Sequence, residues 1–206
     1  NIVPLIEISN VTQYNIKLFK FFLNLLNKRQ DYSNLSQESI EFNIDGKFQI
    51  TGIGTVVSGI LLKGTVKIND NVLIGPDSLG HYKKTQIKSI HYKRVNVDVA
   101  KAGSYVCFNL KKILKNWVKK GMIIISMSDK IMNVWEFEAE VSILQSHHTT
   151  IKVGYEPNLH INNISQTCTI LSIKKILKKK DKNDDENILR SGDKANIKFR
   201  FKYKPV

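Results

Sequence analysis

Gly52, Gly54, Gly59 and Gly64 punctuate the stretch "GIGTVVSGILLKG", and glycines at this density are the raw material of a loop that wraps phosphate. Such a loop needs small residues at fixed intervals, so that several backbone N–H groups converge on one anion at the start of a helix. The stretch does not meet that need. A dinucleotide-binding turn opening at Gly52 and Gly54 would place its third glycine at Val57, whose β-branched side chain blocks close approach. The spacing from Gly54 to Gly59 is followed by Ile60, and that from Gly59 to Gly64 by Thr65, where a lysine would have to grip the phosphates. Val, Ile, Leu and Thr fill the intervals and favour strands. The glycines are read as sheet and turn positions.

Other reactive residue types are equally dispersed. Cys107 and Cys168 stand far apart with no C-x-x-C pairing, which suggests neither a disulfide framework nor a zinc site. Cys107 falls in an alternating strand and reads as inert core. His147 and His148 are adjacent, so on a strand they would point to opposite faces, and no partner recurs at metal-ligand spacing. "DSLG", Asp77 to Gly80, matches D-x-x-G but sits in a turn between strands. "NKRQD" has one residue too many for N-K-x-D. With no paired carboxylates and no Ser-His pair at usable spacing, the chain is expected to have no catalytic residues and no metal of its own.

Charge points to binding instead. The chain carries 32 Lys+Arg against 18 Asp+Glu, a net charge of +14 and a pI near 9.7, a balance that favours a polyanion. The excess is greatest over residues 40–128, with 14 basic and 5 acidic residues. There "KKILKNWVKKG" groups Lys111, Lys112, Lys115, Lys119 and Lys120 about Trp117, lysines for a phosphate backbone around either a stacking platform or a core anchor. The run "KKILKKKDKNDDEN" at 174–187 mixes blocks of both signs without aromatics and reads as a solvated surface insertion. No apolar run reaches the ~18–20 residues of a membrane span, so no membrane partner is expected. The chain begins with Asn1 and lacks a signal-peptide pattern, which suggests a piece of a longer, cytoplasmic protein.

The elements that would position these residues are mostly strands. "VPLIEISN" reads as a strand, and "QYNIKLFKFFLNLL" puts Ile16, Phe19, Leu23 and Leu26 on one helical face, with Asn10 or Thr12 as cap. A strand and a helix make no core alone, so residues 1–39 are expected to be the last strand and helix of a missing domain, followed by a linker. From residue 40 to 128 short β-rich runs separated by turn residues predict a β-barrel. From 129 to 206 "WEFEAEVSIL", "QTCTILSI" and "KANIKFRF" predict a second all-β unit, with "MSDKIMN" as hinge.

These runs are specific enough to carry a resemblance. "GIGTVVSGILLKGTVKINDNVLIGP" resembles the opening of domain II in the elongation factor Tu superfamily of translational GTPases, and "WEFEAEVSIL" with "RSGDKANIKF" is similar to strands of its domain III. "SNVTQYNIKLFKFFLNLL", "SIHYKRV" and "FEAEV" are nearer to the GTP-binding protein 1 group of that superfamily. The resemblance implies a mainly β fold of two consecutive β-barrels, preceded by a terminal βα piece of a P-loop GTPase domain, the second barrel possessing or lacking its closing strand.

What the resemblance implies about function follows residue by residue. Ser9, Asn10 and Val11 match the last guanine-contacting loop, a remnant here because the P-loop is absent; GTP and Mg2+ would belong to the full-length protein and no cofactor to this chain. Ile50, Val56 and Arg94 match the pocket for the terminal adenine of aminoacyl-tRNA, and His91 stands where elongation factor Tu has an acidic residue. His148, Thr150 and Lys152 match a loop that approaches the tRNA T arm. The implied role is a non-catalytic, tRNA- and ribosome-interacting module working with its own G domain. The alternative is a protein-interaction scaffold of a GTPase linked to RNA decay.

Overall fold

The computed structural model describes residues 3–27, 31–130, 133–146, 149–176 and 187–206. It divides into two compact units, 1–32 and 33–206.

The first unit contains one helix, α1 (Ile16–Leu25), and no strand among its described residues. The strand expected over Val3–Asn10 does not form there: a strand needs a hydrogen-bonding neighbour, and the described part of this unit offers none. The cap also differs from expectation. Asn15, with φ 53°, occupies the N-cap without a side-chain capping bond, while Thr12 donates its backbone N–H to Ser9 Oγ (3.2 Å) and Asn10 accepts from Gln13 Nε2 at its carbonyl (2.7 Å). Those bonds make residues 9–14 a turn of their own, and the helix starts only after it. None of the helix residues is buried.

The second unit opens with a 3-10 turn at Asn34–Gln37 and continues through β1 (Glu41–Ile50), β2 (Gly54–Lys63), β3 (Thr65–Lys67), β4 (Asn71–Gly75), β5 (Lys83–Tyr92), β6 (Val95–Val97), β7 (Val99–Lys101), β8 (Tyr105–Leu110) and β9 (Ile123–Ser126). The antiparallel pairings run from β1 to β2, β8, β5, β4 and β9 and return to β1, a ring of strands. Phe42, Ile44, Val57, Leu61, Ile74, Ile87, Ile90, Phe108 and Ile124 fill it, with the Phe42 and Phe108 rings 4.5 Å apart. The glycine-rich stretch is β2 itself, with a turn on either side. At Gly59 a Cβ would come 1.8 Å from the Asn43 carbonyl oxygen across the β1–β2 ladder, so this glycine serves close strand approach and not an anion.

Two irregularities decide which residues face outward. On β1, Phe42 and Ile44 are fully buried, yet Phe48 and Ile50, of the same parity, are 51% and 41% exposed. A regular strand forbids this. The ladder skips Asp45, pairing Ile44 with Gly59 and Gly46 with Ser58, and this bulge turns the later residues out. β5 repeats the device: Ile87 faces the core, the register slips at Lys88, and Ser89 and His91 turn outward while Ile90 turns in.

Then come β10 (Glu136–Ser142), β11 (Ile151–Lys152), β12 (Asn158–Ile161), β13 (Ile164–Lys175), β14 (Ile188–Leu189) and β15 (Lys194–Phe201). The sheet β10-β15-β13-β12 and the pair β11-β14 enclose a separate core of Cys168, Ile170, Leu189, Ile197, Phe199 and Phe201, and among the described residues this sheet does not close into a barrel. β15 coincides with "KANIKFRF". The surface insertion expected from Lys174 begins later: Lys174 and Lys175 are the last residues of β13, paired with Asn196 and Ala195, and Lys175 Nζ lies 3.1 Å from Asp193 Oδ2. The strand's alternation continues through these lysines: Lys174 is exposed, whereas the Lys175 side chain is packed down with its ammonium on Asp193. Residues 177–186 of that run lie outside the described residues.

Polar contacts join the two β units. Asn163 Nδ2 donates to the carbonyls of Ile44 (3.2 Å) and Met122 (3.4 Å), and Asn133 Nδ2 donates to the Gly80 carbonyl. Beside this junction the half-buried Lys204 ammonium is held below the ordinary lysine range by burial and then by the Lys119 charge. The unfolded chain therefore binds that proton more tightly, so the cost is fully present at neutral pH and fades as pH rises toward 10.5. Lys204→Met is expected to raise the melting temperature at pH 7, with the gain shrinking as pH rises toward 10.5; a gain that does not depend on pH would assign it to packing alone.

Candidate nucleic-acid interface

Four neighbouring strands of the ring, β1, β2, β8 and β5, present one face to solvent. Cross-strand register brings Phe48 beside Val56, Val56 beside Asn109, Asn109 beside Ser89, and Cys107 beside His91. Ile50 continues the β1 face and Tyr105 the β8 face, while Ile53 from the β1–β2 turn and Lys93 and Arg94 from the β5–β6 turn form the rim. Together they line a cavity of about 420 Å3. The walls are mostly apolar, with Ser89, His91 and Asn109 among them, and the charges of Lys93 and Arg94 stand at the rim.

The structure thus brings together Ile50, Val56, His91 and Arg94, which the sequence separates by over forty positions. Their burial differs with role in the wall: Val56 is 8% exposed, whereas Ile50 is 41% exposed. Five further wall residues were not singled out from sequence: Phe48, Ile53, Ser89, Tyr105 and Asn109. Those on β8 were legible from "SYVCFNL" as one alternating face shared with Cys107, though not as the outward one, whereas Phe48 and Ser89 depend on the bulges. Cys107 is corrected from core to wall. It is half-buried, its alternating neighbours Val106 and Phe108 take the inside positions, and burial pushes its thiol up from the usual range.

The rim turn is strained. Tyr92 pairs with Val95, so Lys93 and Arg94 alone make the hairpin turn, with φ of 50° and 68°. A two-residue turn with both φ positive favours Asn-Gly, because side chains crowd the backbone there. Lys93→Asn with Arg94→Gly is expected to stabilise the chain by about 1 kcal/mol in denaturant titration. The same variant should bind RNA more weakly through loss of two rim cations; a variant neither stabler nor weaker in binding would leave the turn without a functional reason.

The lysine loop is anchored from beneath. Ile113 and Val118 are buried in the first core, and Lys47 Nζ donates to the carbonyls of Lys115 (3.2 Å) and Val118 (2.5 Å). Trp117 packs half-buried against that core with Lys83 Nζ 4.4 Å from its ring centre, so it is a core anchor whose face is already met by a cation, not a free platform. Lys111, Lys112, Lys115, Lys119 and Lys120 are all exposed. Lys111 directly follows β8, two residues beyond Asn109, and its Nζ donates to Gln86 Oε1 (3.1 Å).

Thr150 and Lys152 are not among the residues that line the cavity. Ser9 is half-buried, and Asn10 and Val11 are exposed, within the turn of the first unit. Lys152 on β11 and Thr150 before it are exposed, and His148 lies outside the described residues. Neither the glycine stretch nor "DSLG" forms a triphosphate-binding loop. Gly52 and Gly54 lead into a strand and supply no helix N-terminus, and Asp77 of "DSLG" uses Oδ1 to accept the backbone N–H groups of Leu79 and His81, both at 2.9 Å. Those bonds, the His81 one first, hold the Asp77 carboxyl below the usual range, as in a carboxylate that organises its own turn.

Comparison with known proteins places this geometry. Residues 54–125 match the model for elongation factor Tu domain 2, and residues 130–206 match that for the elongation factor Tu C-terminal domain. The chain belongs to the elongation factor Tu family. Within it, GTP-binding protein 1 of Xenopus laevis is 42% identical over 198 residues, 96% of this chain and 28% of that protein. GTP-binding protein 2 of Mus musculus is 32% identical over 206 residues, 98% of this chain and 32% of that protein. Elongation factor 1-alpha of Sulfolobus acidocaldarius is 30% identical over 156 residues, 74% of this chain and 35% of that protein. The chain therefore spans about a third of the length of these relatives. In elongation factor Tu terms, most of the cavity wall falls within domain 2, with Phe48, Ile50 and Ile53 just before the matched segment.

Proposed function

We propose that this chain is the RNA-binding part of a GTP-binding translation factor, and that its cavity receives an unpaired nucleobase at the 3′ end of a tRNA. The apolar cavity with cations on its rim carries this reading. A base stacked between Ile50, Val56 and Phe48 contributes ~1–3 kcal/mol without demanding a sequence. Lys93 and Arg94 meet the phosphates beside it, and the lysines from 111 to 120 hold the adjoining backbone by charge. Thr150, Lys152 and His148 are the candidates for the more distant part of the same RNA. The relatives named as GTP-binding proteins and elongation factors support GTP binding by a G domain of the whole protein and a part in elongation; hydrolysis with Mg2+ in that domain, beside the ribosome in the cytoplasm, belongs to the same proposal.

Titration of the chain with uncharged and aminoacylated tRNA over a salt series tests the reading. Binding whose logarithm falls steeply with log salt supports it; weak binding with a shallow slope would overturn it in favour of a protein-binding scaffold, such as one docking on an RNA-decay complex.

A further inference from the structure

Two lysines meet at the junction of the β units without a counter-charge. Lys204 follows β15 and is half-buried, and Lys119 stands in the lysine loop ahead of β9. Neither ammonium group has an ion pair or a hydrogen bond among the described residues. Other lysines of the second β unit are served: Lys202 Nζ meets Glu156 Oε2 at 2.6 Å, and Lys175 Nζ meets Asp193 Oδ2 at 3.1 Å. At Lys204 the nearby charge is another cation, whose repulsion adds to the cost of burial. A neutral side chain would fill the same place without that cost, which a bound anion offsets.

The backbone beside Lys204 is trimmed. Gly121, two residues after Lys119, has φ 82°, and a Cβ there would lie 3.7 Å from Lys204 Nζ and 3.3 Å from the Asn163 carbonyl oxygen. Glycine keeps that side of the ammonium uncovered. The Gly121 N–H is donated to the Ile44 carbonyl and the Met122 N–H to the Lys119 carbonyl, both at 3.2 Å. Donors for a guest therefore come from the two side chains, each with three N–H bonds and no acceptor. Two such point charges suit an oxyanion of charge near −2, as in phosphate.

We propose that Lys119 and Lys204 together hold a phosphate-type oxyanion, which bridges the two β units at their seam. It adds an ionic tie to the amide contacts made there by Asn163 and Asn133.

Thermal melts in inorganic phosphate, against chloride at the same ionic strength, test the site. At about ten times its dissociation constant, phosphate is expected to raise the melting temperature of the unmodified chain by about 3–5 °C. Lys101→Met, which removes an exposed charge on β7, should keep that rise. Lys204→Met and Lys119→Met should both lose it, and because Lys119 is exposed its variant reads the site even where Lys204→Met disturbs the seam. No rise in the unmodified chain, or an equal rise in all four chains, would overturn the proposal, the second result assigning the anion to the basic surface at large. A short single-stranded RNA then separates the sources, and either outcome upholds the site: if RNA abolishes the response to phosphate the oxyanion is a backbone phosphate, and if the response persists at RNA saturation it is a free one.

Discussion

Replacing Lys111, Lys115 and Lys119 together by glutamate is expected to weaken RNA binding about a hundredfold at 0.1 M salt, without loss of fold. On single-stranded RNA each phosphate neutralised contributes about 0.7 to the slope of log affinity against log salt, so three lost contacts lower the slope by about 2 and the affinity at ~0.1 M by roughly two decades. The fold should survive because all three side chains are exposed. The loop is held by parts the substitution leaves in place, namely Ile113, Val118 and the bonds from Lys47 to the carbonyls of Lys115 and Val118. Surface changes of this kind usually stay within about 0.5 kcal/mol in stability. Retained affinity and slope, measured by anisotropy across a salt series, would remove the loop from the interface.

The second large effect concerns the cavity. Ile50→Ala with Arg94→Ala should lower affinity for a single-stranded 3′ end about thirtyfold, through part of the ~1–3 kcal/mol of stacking and one phosphate contact. Its signature differs from that of the loop variant, because most of the loss is apolar and the salt slope should fall by less than about 1. Neither substitution opens a hole in the core, since Ile50 is 41% exposed and Arg94 stands on the exposed rim. A duplex with a blunt end should bind the variant and the unmodified chain alike. If the variant instead loses duplex binding equally, the cavity takes no free base and the rim acts only as part of a basic surface.

The sequence by itself determined that this chain is built of strands, that the glycines of "GIGTVVSGILLKG" belong to a sheet, and that "DSLG" is a turn. Each of these follows from local chemistry: β-branched residues between the glycines, and an aspartate able to accept the backbone N–H groups two and four residues on. It also singled out four residues of one cavity, because the motif containing them keeps its spacing. Tertiary structure alone decided the rest. Alternation tells which residues share a face, but not where the phase changes, and the bulges at Asp45 and Lys88 change it on both outer strands of the site. Without those bulges Phe48, Ile50, Ser89 and His91 would share the facing of Ile44 and Ile87, inside the ring. The facing of Cys107 was likewise settled by register across β2, β8 and β5, where neighbours come from segments far apart in the chain.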